Sequence, residues 1–225
     1  MAIDAGDSGE LVTSPEHGPD ESPFVTIWEA PRATIRRLVA TDPRRHVNAL
    51  FFASGTVGTL TGLARSSDQF ALPLMAIPLA ALGFGALNVP GGHLNAWYKR
   101  WVGGLLGGTA SRDAVVTVAA WSTVPVIVGH SALLLLQIAL YGLEPFSAEH
   151  PTMDASSALL QLTFTLGTTL FTGWTVIVSI FGFAEVNRFS IWRSIATSLL
   201  ALTIVTIVVV GLAVVLGALA ASVLE

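Results

Sequence analysis

Residues 114–143 read AVVTVAAWSTVPVIVGHSALLLLQIALYGL, a run of thirty positions without one Asp, Glu, Lys or Arg. A helix needs about 20 predominantly apolar residues to cross the hydrocarbon core, so this run holds one membrane span and is too short for two with a turn. Uncharged stretches of the same kind lie at 46–64, 69–98, 155–184 and 194–224. Five such runs predict five membrane helices. The composition agrees: 52% of residues are hydrophobic, 12% are charged and the mean hydropathy is +0.69, whereas a soluble domain carries about a quarter charged residues. The chain is therefore expected to be an all-α, polytopic integral membrane protein. A secreted enzyme, a nucleic-acid-binding domain and an ordinary soluble core are excluded.

The flanks of the five runs set the orientation, because Lys and Arg are retained on the cytoplasmic side. Arg32, Arg36, Arg37, Arg44 and Arg45 precede the first span, Lys99, Arg100 and Arg112 lie between the second and third, and Arg188 and Arg193 lie between the fourth and fifth. The other side has Arg65 alone, with Glu144, Glu149 and Asp154. This split predicts a plasma-membrane protein with a cytoplasmic amino terminus and its carboxyl terminus, Glu225, outside. Before the spans, residues 1–22 hold Asp4, Asp7, Glu10, Glu16, Asp20 and Glu21 with no Lys or Arg. They lack apolar periodicity and are expected to form a disordered acidic tail. The leader has no basic cap or short apolar core, so no cleavage is expected.

Between tail and bundle, residues 23–45 form a cytoplasmic segment, and the membrane domain occupies 46–224. From Pro23 to Ala40, Ile27, Trp28, Pro31, Ile35, Leu38 and Val39 share one third of a helical wheel, with Arg32, Arg36 and Arg37 outside it. That pattern predicts an amphipathic helix, divided at Pro31 after a turn at Glu29 and Ala30. Its stripe either lies in the headgroup plane or packs on the other helices. In the first span, Gly58 and Gly62 have the spacing for close helix contact. The second, about 70–90 and containing Pro73 and Pro78, is expected to end near Asn88 and Pro90. Its tail through His93, Trp97, Tyr98 and Trp101 should be a separate interfacial turn or helix. Gly103, Gly104, Gly107 and Gly108 would then make a flexible connector, after which Ser111 caps the third span, about 113–140. The last span has no strongly polar side chain and should face lipid.

Catalytic signatures fail on residue identity. The chain has no Cys, hence no disulfide, thiolate metal site or thiol nucleophile. The Gly-rich stretch 103–111 lacks the Lys of a phosphate loop, Gly83 and Gly85 lack the third glycine of a dinucleotide turn, and the five His include no metal-binding pair at four-residue spacing. Gly-x-Ser-x-Gly is absent, and no carboxylate lies in the middle of a span. No enzyme activity, cofactor or metal is expected. Two polar groups do lie at depth: His130 and Gln137 share a face of the third span. They mark either a proton or solute path, or an interhelical hydrogen bond. Glu185, where the fourth span leaves the membrane, is expected to pair either with Arg188 three residues on or, across the fold, with an arginine of the 32–37 stretch. Trp28, Pro31, Arg32, Arg36, Arg37, Glu185, Arg188 and Trp192 together make a candidate cytoplasmic interaction surface.

The order of these features is familiar. Trp28-Glu-Ala-Pro31-Arg32-Ala-Thr34-Ile-Arg36-Arg37, Gly107-Gly108-Thr-Ala-Ser111, Ala120-Trp121-Ser122-Thr-Val-Pro125 and Asn187-Arg188-Phe189-Ser190-Ile-Trp192-Arg193 resemble prokaryotic members of the Yip domain family, the Ypt-interacting proteins. The resemblance covers roughly residues 24–220. It implies a non-enzymatic membrane protein, whose eukaryotic relatives act in vesicle trafficking and associate with Rab-type small GTPases. Expected partners are membrane lipids, with a cytoplasmic protein and a second copy of the chain as candidate protein partners, and no nucleic acid. The rival class is a small-solute or ion transporter or channel, for which glycines, span prolines and a Thr-rich fourth span would supply broken helices.

Overall fold

The computed structural model describes residues 21–65, 73–146 and 155–224, and among them every regular element is helical. The acidic tail falls almost wholly outside the described residues, as do Glu149 and Asp154. Eight α-helices follow in order: α1 (Pro23–Glu29), α2 (Pro31–Thr41), α3 (Val47–Arg65), α4 (Ala76–Leu105), α5 (Arg112–Trp121), α6 (Val124–Tyr141), α7 (Ala155–Asn187) and α8 (Ile191–Leu224), with a short 3-10 turn at Glu144–Phe146.

Local chemistry places most boundaries. Pro23 and Pro31 each open a helix, where the missing N–H costs nothing and the fixed φ is already helical. Between them Ala30 leaves the helical region at φ −134° and ψ 63°. Ser111 caps α5, its Oγ accepting from Ala114 N–H at 3.2 Å, and Asp113 sits in the first turn, where the helix dipole favours a carboxylate. The expected third span is two helices rather than one. Pro125 has no N–H to offer the carbonyl four residues back, and the chain turns at Ser122 and Thr123 before α6 begins. Side-chain hydroxyls pair with carbonyls of the preceding turn there: Ser122 Oγ donates to Ala119 O and Thr123 Oγ1 to Ala120 O.

The second run departs further from expectation. Instead of ending near Asn88, α4 continues through Pro90 to Leu105, so the aromatic tail is its last third and not a separate element. Pro78 falls in its first turn, where no donor is needed. Pro90 is tolerated because the neighbouring helix holds that stretch: Asn88 Nδ2 donates to Phe51 O at 2.7 Å and to Ser54 Oγ at 3.0 Å, and His93 Nε2 lies 2.8 Å from Asn48 Oδ1. Packing against an adjacent helix is what lets a proline stay inside an apolar helix. The glycines that permit this contact are Gly55, Gly85 and Gly92, each facing Asn88, Thr56 or Phe51 of the partner helix. Gly58 and Gly62, which have the spacing for close contact, have nothing within 4 Å of an added Cβ, so neither makes such a contact.

Four segments are long and apolar enough to cross a membrane: Val47–Arg65, Arg112–Tyr141, Ala158–Asn187 and Ile191–Leu216. The chain is thus an all-helical, integral membrane protein. The helices run antiparallel in sequence, since Phe51 meets Gly92 while Thr56 meets Gly85, Gly129 meets Phe171 while Leu133 meets Gly167, and Ser194 Oγ donates to Ile180 O. Large apolar side chains are turned outward along the bundle, among them Leu79, Leu170 and Val214, as lipid contact requires. The packed core sits at one end of the bundle, where Ile27, Ile35 and Leu38 join Val115, Val118, Trp121, Val178 and Phe183.

Candidate functional site

That core decides between the two settings of the amphipathic stripe. Ile27 and Ile35 are fully enclosed and Leu38 nearly so, because α2 packs on α5 and α7. Thr34 Oγ1 donates to Thr26 Oγ1 at 2.8 Å, which joins α1 to α2 inside the contact. The apolar stripe therefore faces protein, and the arginines line its rim.

Each arginine of the 32–37 stretch has a distinct partner. Arg36 Nε donates to Glu185 Oε1 at 2.7 Å, so Glu185 is bound across the fold, to Arg36 rather than Arg32. Its carboxylate, by hydrogen bond first and by charge second, raises the Arg36 guanidinium above its ordinary range. Arg32 lies with Cζ 5.4 Å from the centre of the Phe181 ring, within cation–π range, and its buried Nε has no hydrogen-bond partner among the described residues. Arg37 donates to Glu21 O and to Thr26 Oγ1. Trp28, half-buried, meets Phe171 edge-on at 6.3 Å. Pro31 opens α2 behind them. Arg36 is 70% exposed and Glu185 20%, so their coupling belongs to the surface class, up to about 1 kcal/mol. Glu185→Gln and Arg36→Ala should each lower the melting temperature in detergent, and the double variant should lose less than their sum. Strict additivity would remove the clamp between α2 and α7.

Arg188 and Trp192 do not join this cluster. The local pair of Glu185 with Arg188 is absent because Arg188 is already off the helix, at φ 54°. The turn is a Schellman motif: Phe189 N–H bonds Ala184 O and Arg188 N–H bonds Glu185 O, and the Phe189 ring lies 6.3 Å from that of Phe183. A second such motif ends α4, where Gly108 N–H bonds Gly103 O and Gly107 N–H bonds Gly104 O, with Gly107 at φ 79°. The four glycines are thus a closed helix stop rather than a flexible connector. Asn187, the first residue of the Asn187–Arg193 motif but not among the candidate surface residues, ties the two stops together: Nδ2 donates to Phe183 O at 3.0 Å and Oδ1 accepts from Ala110 N–H at 3.3 Å. Trp192 stands 80% exposed on the first turn of α8.

At the far end of the bundle His130 and Gln137 line one cavity of about 400 Å3, and Arg65 lines it too. His130 Nε2 is 3.2 Å from Thr168 O and 3.3 Å from Thr172 Oγ1, so the histidine does bridge α6 to α7. Arg65 Nη2 donates to Thr168 Oγ1. Gln137 shares no hydrogen bond with the described residues. The threonines of α7 mostly bond their own helix, as Thr163, Thr169 and Thr172 do, while Thr175 Oγ1 accepts from Val126 N–H. Arg65 is the residue missed: charge counting places it in a connection, whereas its side chain crosses from α3 to α7. Among the described residues, no group of His, Asp and Glu could hold a metal ion.

A sequence model described as the Yip1 domain matches residues 25–213, from α1 into α8. No curated protein and no solved structure matches the chain.

Proposed function

The chain belongs to the Yip1 domain family, and on that premise we propose that it works without catalysis, as a multi-pass membrane protein whose arginine-rich end organises the membrane or binds a cytoplasmic partner. The carrying observation is the Arg36–Glu185 contact, which ties α2 to the end of α7 at the rim of the core that holds the amino-terminal helices. Arg32 and Arg36 lie on α2, Arg188 in the turn that follows α7, and Arg193 on the first turn of α8, which packs on α7. A basic face of this kind suits an anionic leaflet or an acidic protein surface.

Two structural readings accompany the proposal. Helix α4 is taken as a fifth span, because it lies antiparallel along the length of α3 and is 30 residues long, enough to cross. Five spans place the termini on opposite sides of the membrane, and the basic end is assigned to the cytoplasm by the retention of Lys and Arg there. The plasma membrane is the assigned compartment. Single cysteines replacing Trp192 and Leu143, in a chain that otherwise has none, test orientation and function together. In intact cells an impermeant thiol reagent should label position 143 and spare 192, and a photoactivated thiol crosslinker should capture protein only at 192. Reversed labelling would overturn the orientation, and absence of any captured protein or anionic lipid at 192 would overturn the partner role. The transport reading draws its support from the cavity beside His130; flux of protons or small solutes in reconstituted vesicles is its test.

A further inference from the structure

The cavity at the far end has a chemistry of its own. Helices α3 and α7 each pack on α6 and scarcely on each other, which leaves a cleft between them with α6 as its floor. Arg65 reaches into it as the sole basic residue assigned to that end of the bundle, and among the described residues its guanidinium meets only the neutral hydroxyl of Thr168. A guanidinium carries five donors in a planar fork, so most of its hydrogen-bonding capacity remains unused. Around it stand groups able to donate: the amides of Gln137 and Gln161, the hydroxyls of Tyr141 and Thr165, and His130. Glu144 at the rim is the one carboxylate in the lining, and it makes no ion pair with Arg65.

A surplus of donors around one permanent cation selects a singly charged oxyanion, because guanidinium and amide N–H groups satisfy its oxygens with charge-assisted bonds. The remaining wall is apolar, formed by Ala64, Leu133, Leu134 and Phe164. At about 400 Å3 the space lies within the usual range for a small-ligand site, roughly 300–1,000 Å3. It is too small to enclose a pair of acyl chains, which would have to leave through the cleft between α3 and α7.

We propose that this cavity is a binding site for a phosphodiester monoanion, held by Arg65 with the amides of Gln137 and Gln161, its apolar part resting on Leu133, Leu134 and Phe164. The phosphodiester belongs either to a phospholipid headgroup or to a free glycerophosphodiester. The site is independent of partner binding at the basic end, so failure of either leaves the other standing. Three probes titrated into the purified full chain in non-ionic detergent test it: dioctanoyl phosphatidylglycerol, glycerophosphoglycerol, and dioctanoylglycerol, which lacks phosphate. The phosphate-bearing probe should bind saturably and dioctanoylglycerol should not. Binding of the lipid alone assigns the headgroup source; binding of both phosphodiesters assigns the free solute. Arg65→Gln should weaken binding by at least about tenfold, the effect of losing a charge-assisted hydrogen bond, while Arg44→Gln at the opposite end should leave it unchanged. If Arg65→Gln melts before titration, Gln161→Leu decides, with a loss of about threefold or more expected. The site is overturned by absence of saturable phosphodiester binding, by unchanged affinity in folded Arg65→Gln, or by an equal loss in Arg44→Gln.

Discussion

Trp121→Ala should lower the stability of the chain by about 3–5 kcal/mol, the range for deleting a large aromatic from a closed core. Trp121 is fully enclosed. It ends α5 directly beneath the amino-terminal segment, with the Phe24 ring 4.8 Å and the His46 ring 6.4 Å from its own. Its Nε1 donates to Arg45 O at 3.1 Å, one turn from where Thr117 Oγ1 donates to Pro43 O. Removing the indole therefore empties the core and releases the 42–46 turn that carries α2 into α3. Two readouts should move together: the melting temperature in mild detergent, and the rate at which trypsin cuts after Arg44 and Arg45. Trp192→Ala is the matched control, because an exposed side chain away from such features changes stability by no more than about 0.5 kcal/mol. Comparable losses in the two variants would mean that the amino-terminal helices are not part of the core.

Features set by one residue's covalent chemistry are legible in the sequence, and features set by a neighbour are not. Pro31 and Ser111 mark helix starts because a fixed φ and a side-chain acceptor act on their own backbone. The uncharged runs reveal membrane segments because the cost of a charge in hydrocarbon does not depend on which helix lies alongside. Continuation of α4 through Pro90 depends on α3 holding it, and the break before α6 at a second proline looks the same in sequence until the packing is known. Arg188 departs from the helix through the turn geometry of the whole 184–189 stretch, which redirects Glu185 to Arg36. Charge counting places Arg65 in a connection, yet a long side chain on the last turn of α3 reaches Thr168. The candidate site follows the same division. Its residue types were readable, but which of them meet was decided by α2 lying across α5 and α7.

The glycines of α3 separate these two kinds of information most sharply. Gly55→Ala would place a Cβ 2.5 Å from Asn88 Cβ and 3.0 Å from Phe84 O. Neither can yield, since one is the root of a side chain and the other is backbone. The helices would have to separate, straining the bonds from Asn88 Nδ2 to Phe51 O and Ser54 Oγ. Overpacking of this kind costs about 1–3 kcal/mol. Gly58→Ala, one turn away on the same helix, meets nothing within 4 Å and should gain roughly 0.5–1 kcal/mol from helix propensity. The two variants should thus move the melting temperature in opposite directions, although the substitution and the helix are the same. A fall of equal size at both positions would show that Gly55 does not set the approach of α3 to α4. It would also remove the support that α3 gives to the proposal of α4 as a fifth span.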